Sequence, residues 1–551
     1  MLNNHLFTYY WLSNCYQTGC NSAGILPRPP RENLLNNDLA KLERQPREVA
    51  RWQKAQQQLM GGRYASAISA YNDLLKLFPG VPQLWFESGM AHGRQLNFPQ
   101  AEVALERAAE LGAKEVGLLV LIGQEYFRLR RFDPARASFR RAVSADPNSV
   151  HALLSMASWW ERERRLADAL ECVEECLARH PQEPQALYYR AFLQHRKGQN
   201  EEAAAALRSL IQRGNLDVNL KVSVHHLLGV VLDALGKYEE AMRALVEAKE
   251  FARKTMDTDA LIRDYDKWDR WRRELLASLT PDLMKRWRAE APRPARLAFL
   301  GGHPRSGTTL MEQVLGAHPD IRAFDEPEAF PNEVLNILSP AQTIRGMTLT
   351  ELDSLSGTRR EDIRTRYFKS LLREAPEGTH GELLLDKNPS PTNSLHLWLR
   401  IFPELKVIIA LRDPRDVVVS CFLQNLPLNA ATANFLSIER TARHYADLMD
   451  VWLRFRELGG FEWIEMHYQE VVANPEGEGR RVTEFLGLKW HPQQAGHHEI
   501  ARKKILHSPT YFEAAKPLYK QALNRWPNYQ AALAPVQQRL APYCLAFGYS
   551  I

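Results

Sequence analysis

Small and apolar positions recur along the first half of the chain with a fixed step. In Arg63-Tyr64-x-x-Ala67, Asn97-Phe98-x-x-Ala101, Arg131-Phe132-x-x-Ala135, Arg165-Leu166-x-x-Ala169 and Gln199-Asn200-x-x-Ala203 the alanines stand 34 residues apart, and Lys237-Tyr238-x-x-Ala241 follows after 38. Pro79, Pro147 and Pro181 keep the same frame, with Ala113 in the remaining place. Each unit has room for two amphipathic helices and a turn. A small alanine near the start of the second helix lets the two helices approach closely. The residue three places earlier, aromatic or Leu in most units, packs toward the neighbouring unit, and the proline stops the second helix. Stripes of this kind are core positions first, so no binding residue is assigned within the array.

A 34-residue period resembles tetratricopeptide repeats. The resemblance implies a right-handed solenoid over roughly residues 49–250, with a concave face suited to extended peptides. Residues 1–48 read as a poorly ordered leader. Residues 251–293 read as a charged helical connector with Trp268, Trp271 and Trp287, closed by the boundary signal Ala291-Pro292-Arg293-Pro294.

From 294 to 551 the pattern changes to short apolar runs between helical stretches. Arg296–Gly301, Glu382–Leu385, Leu405–Leu411 and a run around Trp463–Met466 read as buried strands, the third apolar on both faces as in a parallel sheet. The fold expected is a helical solenoid followed by an α/β domain with a central parallel sheet.

Composition narrows the function classes. At roughly 100–200 residues per domain, the 551 residues imply two or three domains. Lys and Arg total 71 against 65 Asp and Glu, a net charge of +6. That balance suits an anionic ligand and does not call for nucleic acid. Six cysteines form neither a disulfide framework nor a metal-ligand spacing. His497-His498-Glu499 lacks the spacing of a helical zinc pair, and no metal is expected. No run approaches the ~18 apolar residues of a membrane span. The expected location is the cytoplasm, and the oligomeric state is open.

The candidate chemistry begins at the first strand. Gly302-His303-Pro304-Arg305-Ser306-Gly307-Thr308-Thr309 joins it to the helical run LMEQVLGAH. A strand, a Gly-bearing loop and a helix N-terminus make an anion cradle. The spacing is that of G-x-x-x-x-G-K-[ST], but Thr308 replaces the lysine that reaches nucleotide β- and γ-phosphates. Arg305 supplies the charge instead, so a phosphate-bearing ligand is expected and a magnesium triphosphate is disfavoured. The strand Leu405–Leu411 ends in Arg412-Asp413-Pro414-Arg415-Asp416, and Ser420 follows in the next helix. That places two more donors at the carboxyl edge of the sheet, where such sheets bind ligands. Glu382–Leu385 ends in Asp386-Lys387-Asn388-Pro389.

PRSGTTL, AHPD followed by a glutamate, DKNP and LRDPRDVVVS, in that order, resemble the sulfotransferases that use 3′-phosphoadenosine 5′-phosphosulfate. They are most similar to the protein-tyrosine sulfotransferase branch and its bacterial relatives with N-terminal repeats. The resemblance implies that Arg305, Ser306, Gly307, Thr308 and Thr309 line the 5′-phosphosulfate. It further implies that Arg412 and Ser420 hold the 3′-phosphate, and that Tyr468, Ser508 and Lys516 lie near the nucleotide. The run from His507 to Trp526 resembles a late segment that closes over the cofactor. Glu326 is the implied base, Lys387 the group that stabilises the leaving phosphate, and Arg305 a stabiliser on the sulfuryl side. Asp325 and Glu328 read as loop acids, and His303 and His507 as rivals to the base. Pro327-Glu328 stands where the tyrosine branch has Thr-Arg, which loosens the identity of the acceptor.

The function implied is transfer of a sulfuryl group from 3′-phosphoadenosine 5′-phosphosulfate to a hydroxyl, with adenosine 3′,5′-bisphosphate as product. The first acceptor is a tyrosine of a peptide or protein held by the repeats; a glycan or small-molecule hydroxyl is the alternative. A peptide-binding scaffold with a degenerate catalytic half and a P-loop kinase are the other classes. The intact charged set argues against the scaffold, and the missing lysine against the kinase.

Overall fold

The computed structural model describes residues 37–291, 296–338, 347–375, 382–497 and 523–551. These fall into two compact units that divide between Leu235 and Gly236.

The first unit is a series of antiparallel helix pairs, from Pro46–Met60 with Tyr64–Leu77 to Pro184–Arg196 with Asn200–Gln212, followed by Val218–Ala234. Helix already begins at Asn37, within the stretch assigned to a leader. The periodic alanines 67, 101, 135, 169 and 203 are all fully buried (0% exposed) in the fourth position of a second helix. A larger side chain there would push the pair apart.

The turn inside each pair repeats too. Gly62, Leu96, Arg130, Arg164, Gly198 and Gly236 have φ between 57° and 82°. After the first five of these, the next residue's N–H reaches back five positions, as in Arg63 to Gln58 O and Arg165 to Trp160 O, both at 2.8 Å. This is the left-handed helix stop that satisfies orphan carbonyls.

The second compact unit opens at Gly236, inside the sixth repeat. Helix α1 (Tyr238–Arg253) belongs to it, because Lys249 and Arg253 donate to the carbonyls of Gln424 and Leu436. Helices α2 (Thr258–Ser278) and α3 (Pro281–Ala289) follow, and Trp287 is fully buried in the core of this unit.

Among the described residues five parallel strands form its sheet: β1 (Leu297–Gly302), β2 (Ile321–Asp325), β3 (Leu383–Lys387), β4 (Lys406–Leu411) and β5 (Glu462–His467), in spatial order β2-β3-β1-β4-β5. β2 lies in a stretch that the sequence reads as turn and loop. It is a five-residue edge strand in which only Ile321 and Phe324 are buried, so it carries no apolar run to betray it.

The connections leaving neighbouring β1 and β3 run in opposite directions along the sheet, which opens a crevice at their carboxyl ends. Both faces are covered. Ala298, Leu300, Ile408 and Ala410 pack on Met311 and Val314 of helix α4 (Thr308–Gly316). Phe299, Val407 and Ile409 face the opposite core, with Trp398, Val418 of helix α5 (Pro414–Phe422), and Trp452 of helix α6 (Ile438–Leu458).

Candidate active site

Two groups of side chains occupy the carboxyl edge of the sheet. The first is built on the β1–α4 loop. Arg305 sits in the left-handed region at φ 75°, and Gly307 precedes the helix at φ 95°. At Gly307 any side chain would collide with the ring of Tyr468, so glycine there answers both the backbone and the close approach.

The Arg305 side chain crosses to α5, its Nε donating to Ser420 Oγ at 3.1 Å. From the tip of β4, Arg412 donates to the carbonyl of Arg305 at 3.1 Å, and its guanidinium lies 5.1 Å from the centroid of the Tyr468 ring. Arg305, Gly307, Arg412, Ser420 and Tyr468 thus share one place. Ser306 and Thr308 are buried within the loop and helix start. The N–H groups that open α4 have no acceptor in the intrahelical ladder, which with two guanidiniums makes a strongly anion-seeking surface.

The second group lies where β2 and β3 end side by side, with Asp325 paired to Lys387 in register. Lys387 is fully buried, and its ammonium is bonded to Asp325 and lies 3.2 Å from Glu326 Oε1. Burial alone would lower the Lys387 pKa, but the charges of Asp325, Glu326 and Glu312 more than offset it and raise it above the usual lysine value. Lys387 is therefore held as a cation, turned toward two carboxylates. Asp325 is no solvated loop acid but the side chain bonded to this lysine, 11% exposed, whereas Glu326 is 25% exposed. Glu326 takes φ 51° and its N–H donates to Lys387 O at 2.8 Å, so backbone as well as charge fixes it. The N–H of Glu328 is bonded to Glu374 instead.

His303 does not face this crevice as a base. It is fully buried, donating from Nδ1 to Pro304 O at 2.8 Å and meeting His444 Nδ1 through Nε2 at 3.0 Å. Burial pushes its pKa down to about 4. It serves as a neutral strut between the loop and α6.

Ser508, Lys516 and His507 lie outside the described residues. Sequence reasoning missed the shared grip of Asp325 and Glu326 on Lys387. It also missed Asp416, whose carboxylate lies 3.5 Å from Arg412. The second acid of Arg-Asp-Pro-Arg-Asp was the available signal for Asp416.

Among the described residues no three His, Cys, Asp or Glu side chains gather as a metal site. No described helix is long and apolar enough to cross a membrane.

Residues 298–492 match the model of the Sulfotransferase family. Residues 53–116, 120–171, 160–218 and 222–255 match tetratricopeptide repeats. An uncharacterised protein of Aquifex aeolicus is 25% identical over 70% of this chain and 49% of its own length. Protein-tyrosine sulfotransferase 1 of Danio rerio is 29% identical over 42% of this chain and 65% of its own, and protein-tyrosine sulfotransferase A of Caenorhabditis elegans 26% identical over 42% and 62%. The chain thus spans about half to two thirds of the length of these relatives. A solved sulfotransferase domain from a Synechococcus olefin synthase aligns at a TM-score of 0.33 and 20% identity, over 47% of this chain and 96% of that one. The chain thus joins an array that matches tetratricopeptide repeats to a domain that matches the sulfotransferase family model and, among the described residues, carries a five-stranded parallel sheet.

Proposed function

We propose that this chain transfers a sulfuryl group from 3′-phosphoadenosine 5′-phosphosulfate to an acceptor hydroxyl, with a tyrosine of a docked peptide as the first candidate. The observation that carries this reading is the joining of two anion-seeking elements by hydrogen bonds, Arg305 to Ser420 and Arg412 to the Arg305 carbonyl. A ligand with phosphates at both ends of an adenosine needs two such elements; a single triphosphate chain needs one. The residues present fit it: a helix start, two arginines, a serine and an aromatic ring, with glycine where the ring comes close.

The donor supplies an activated sulfuryl group on a phosphate oxygen. The loop N–H groups and Arg305 would orient it, and Arg412 with Ser420 would hold the 3′-phosphate. Glu326, exposed enough to meet an acceptor, would take the hydroxyl proton. Lys387, kept charged by its carboxylates, would stabilise charge developing on the leaving oxygen. The cations of the site take the part that a metal plays in phosphoryl transfer. The acceptor preference rests on the likeness to proteins named as tyrosine sulfotransferases and on the repeat array.

Thermal melting tests the reading. Adenosine 3′,5′-bisphosphate should raise the melting temperature, by about 2.7 kcal/mol of stabilisation at a hundred times its Kd, and ATP with magnesium should not. Stabilisation by ATP alone would overturn it.

A further inference from the structure

Arg412-Asp413-Pro414-Arg415-Asp416 divides its labour. Arg412 turns toward Arg305 and Tyr468. Asp416 and Arg415 meet a turn at residues 524–526, and Asp413 holds Arg415. Asp416 is buried, and its carboxylate accepts the backbone N–H groups of Asn524, Arg525 and Trp526 at 3.0, 2.8 and 2.8 Å. Asn524 takes φ 52°, which helps bring three successive N–H groups onto one carboxylate. Beside it, Arg415 is bonded through two nitrogens to Asp413, at 3.0 and 2.7 Å, and its guanidinium carbon stands over the Trp526 ring, 3.8 Å from the centroid. The same Asp416 carboxylate stands 3.5 Å from Arg412 Nη2.

We infer that Asp416 is a positioning residue that couples the 524–526 turn to Arg412 and so tunes selectivity for a 3′-phosphate. The inference rests on the reading of Arg412 and Ser420 as the 3′-phosphate pair. A buried carboxylate this close to an arginine would ordinarily compete with an incoming phosphate. Here three N–H donors already share its charge, so it can orient the guanidinium without neutralising it. Asparagine at 416 would keep one acceptor oxygen but turn an NH2 toward a backbone N–H or toward Arg412. Coupling of this kind is reciprocal: whatever the turn adds to 3′-phosphate binding, the 3′-phosphate adds to the stability of the turn.

The experiment compares adenosine 3′,5′-bisphosphate with adenosine 5′-phosphate on the full chain. Asp416→Asn should lower the preference for the bisphosphate about tenfold while leaving 5′-phosphate affinity near its starting value. Equal losses for both nucleotides would mean that Asp416 is merely structural, and an unchanged or increased preference would mean that it does not orient Arg412; each overturns the inference. If Asp416→Asn does not fold, amide exchange on the unmutated chain decides. The bisphosphate should slow exchange at residues 524–526 more than the 5′-phosphate does, and equal protection overturns the inference. An unmutated chain with no preference for the bisphosphate would remove the 3′-phosphate site itself, whereas a preference that survives Asp416→Asn removes only this coupling.

Discussion

Replacing Glu326 by glutamine separates chemistry from scaffold in this site. The backbone hold on residue 326, its N–H on Lys387 O at 2.8 Å, does not depend on the side chain. Glutamine can still accept from the Lys387 ammonium, which stands 3.2 Å from Oε1, but it cannot take a proton from an acceptor. General-base catalysis contributes about 10²–10⁴-fold, or roughly 3–5 kcal/mol of barrier. Glu326→Gln should therefore lower kcat by that factor and leave the melting temperature within a few degrees.

Asp325→Asn is the contrasting variant. Asp325 is the more buried of the two carboxylates on Lys387. Losing its charge leaves a fully buried ammonium with less compensation, a cost of about 1–3 kcal/mol. Its effect should fall on the melting temperature more than on kcat. The assay is the initial rate with saturating donor and a tyrosine peptide, run beside thermal melting of each variant. A dead Asp325→Asn enzyme that melts normally, with Glu326→Gln active, would refute the assignment. A dead Glu328→Gln enzyme with Glu326→Gln active would place the base two residues away.

Arg412→Ala should weaken adenosine 3′,5′-bisphosphate binding about tenfold or more relative to adenosine 5′-phosphate, because a charge-assisted bond is worth about 1.5–3 kcal/mol; calorimetry that shows equal losses would count against the 3′-phosphate reading. Gly307→Ala should abolish nucleotide-induced stabilisation, since the methyl meets the Tyr468 ring, and Tyr468→Ala should not fully restore it, since φ stays at 95°; complete rescue in a melting assay would show that only the ring matters. Lys249 is buried with its ammonium on Gln424 O, and burial lowers its pKa to about 7. The folded chain therefore binds fewer protons than the unfolded one between pH 7 and the ordinary lysine value of about 10.4. The destabilisation is complete below pH 7 and relieved as pH rises through that window, at up to about 1.4 kcal/mol per pH unit. Lys249→Met should be the more stable protein at pH 7, with an advantage that shrinks toward pH 10; a gap in melting temperature that does not change with pH would contradict this.

What could be read along the chain is what repeats or closes locally. The 34-residue step needs only the same helix pair to be stacked again, so alanines 67 to 203 announce it and all prove buried. The β1–α4 loop is a contiguous strand, turn and helix, so Arg305 to Thr309 could be named as its lining from spacing and likeness. The left-handed turn of each repeat was half visible, written as glycine at 62, 198 and 236 but hidden under Leu96, Arg130 and Arg164. Tertiary structure alone decided the rest. Asp325 and Glu326 reach Lys387 only because a short edge strand pairs in register with a strand some sixty residues later, a partnership that leaves no periodic trace. His303 is removed from the list of bases by burial against His444, 141 residues away. Asp416 meets the 524–526 turn across 108 to 110 residues. In each case the chemistry of a titratable group is set by the charges and solvent that the fold brings to it, and those come from distant parts of the chain.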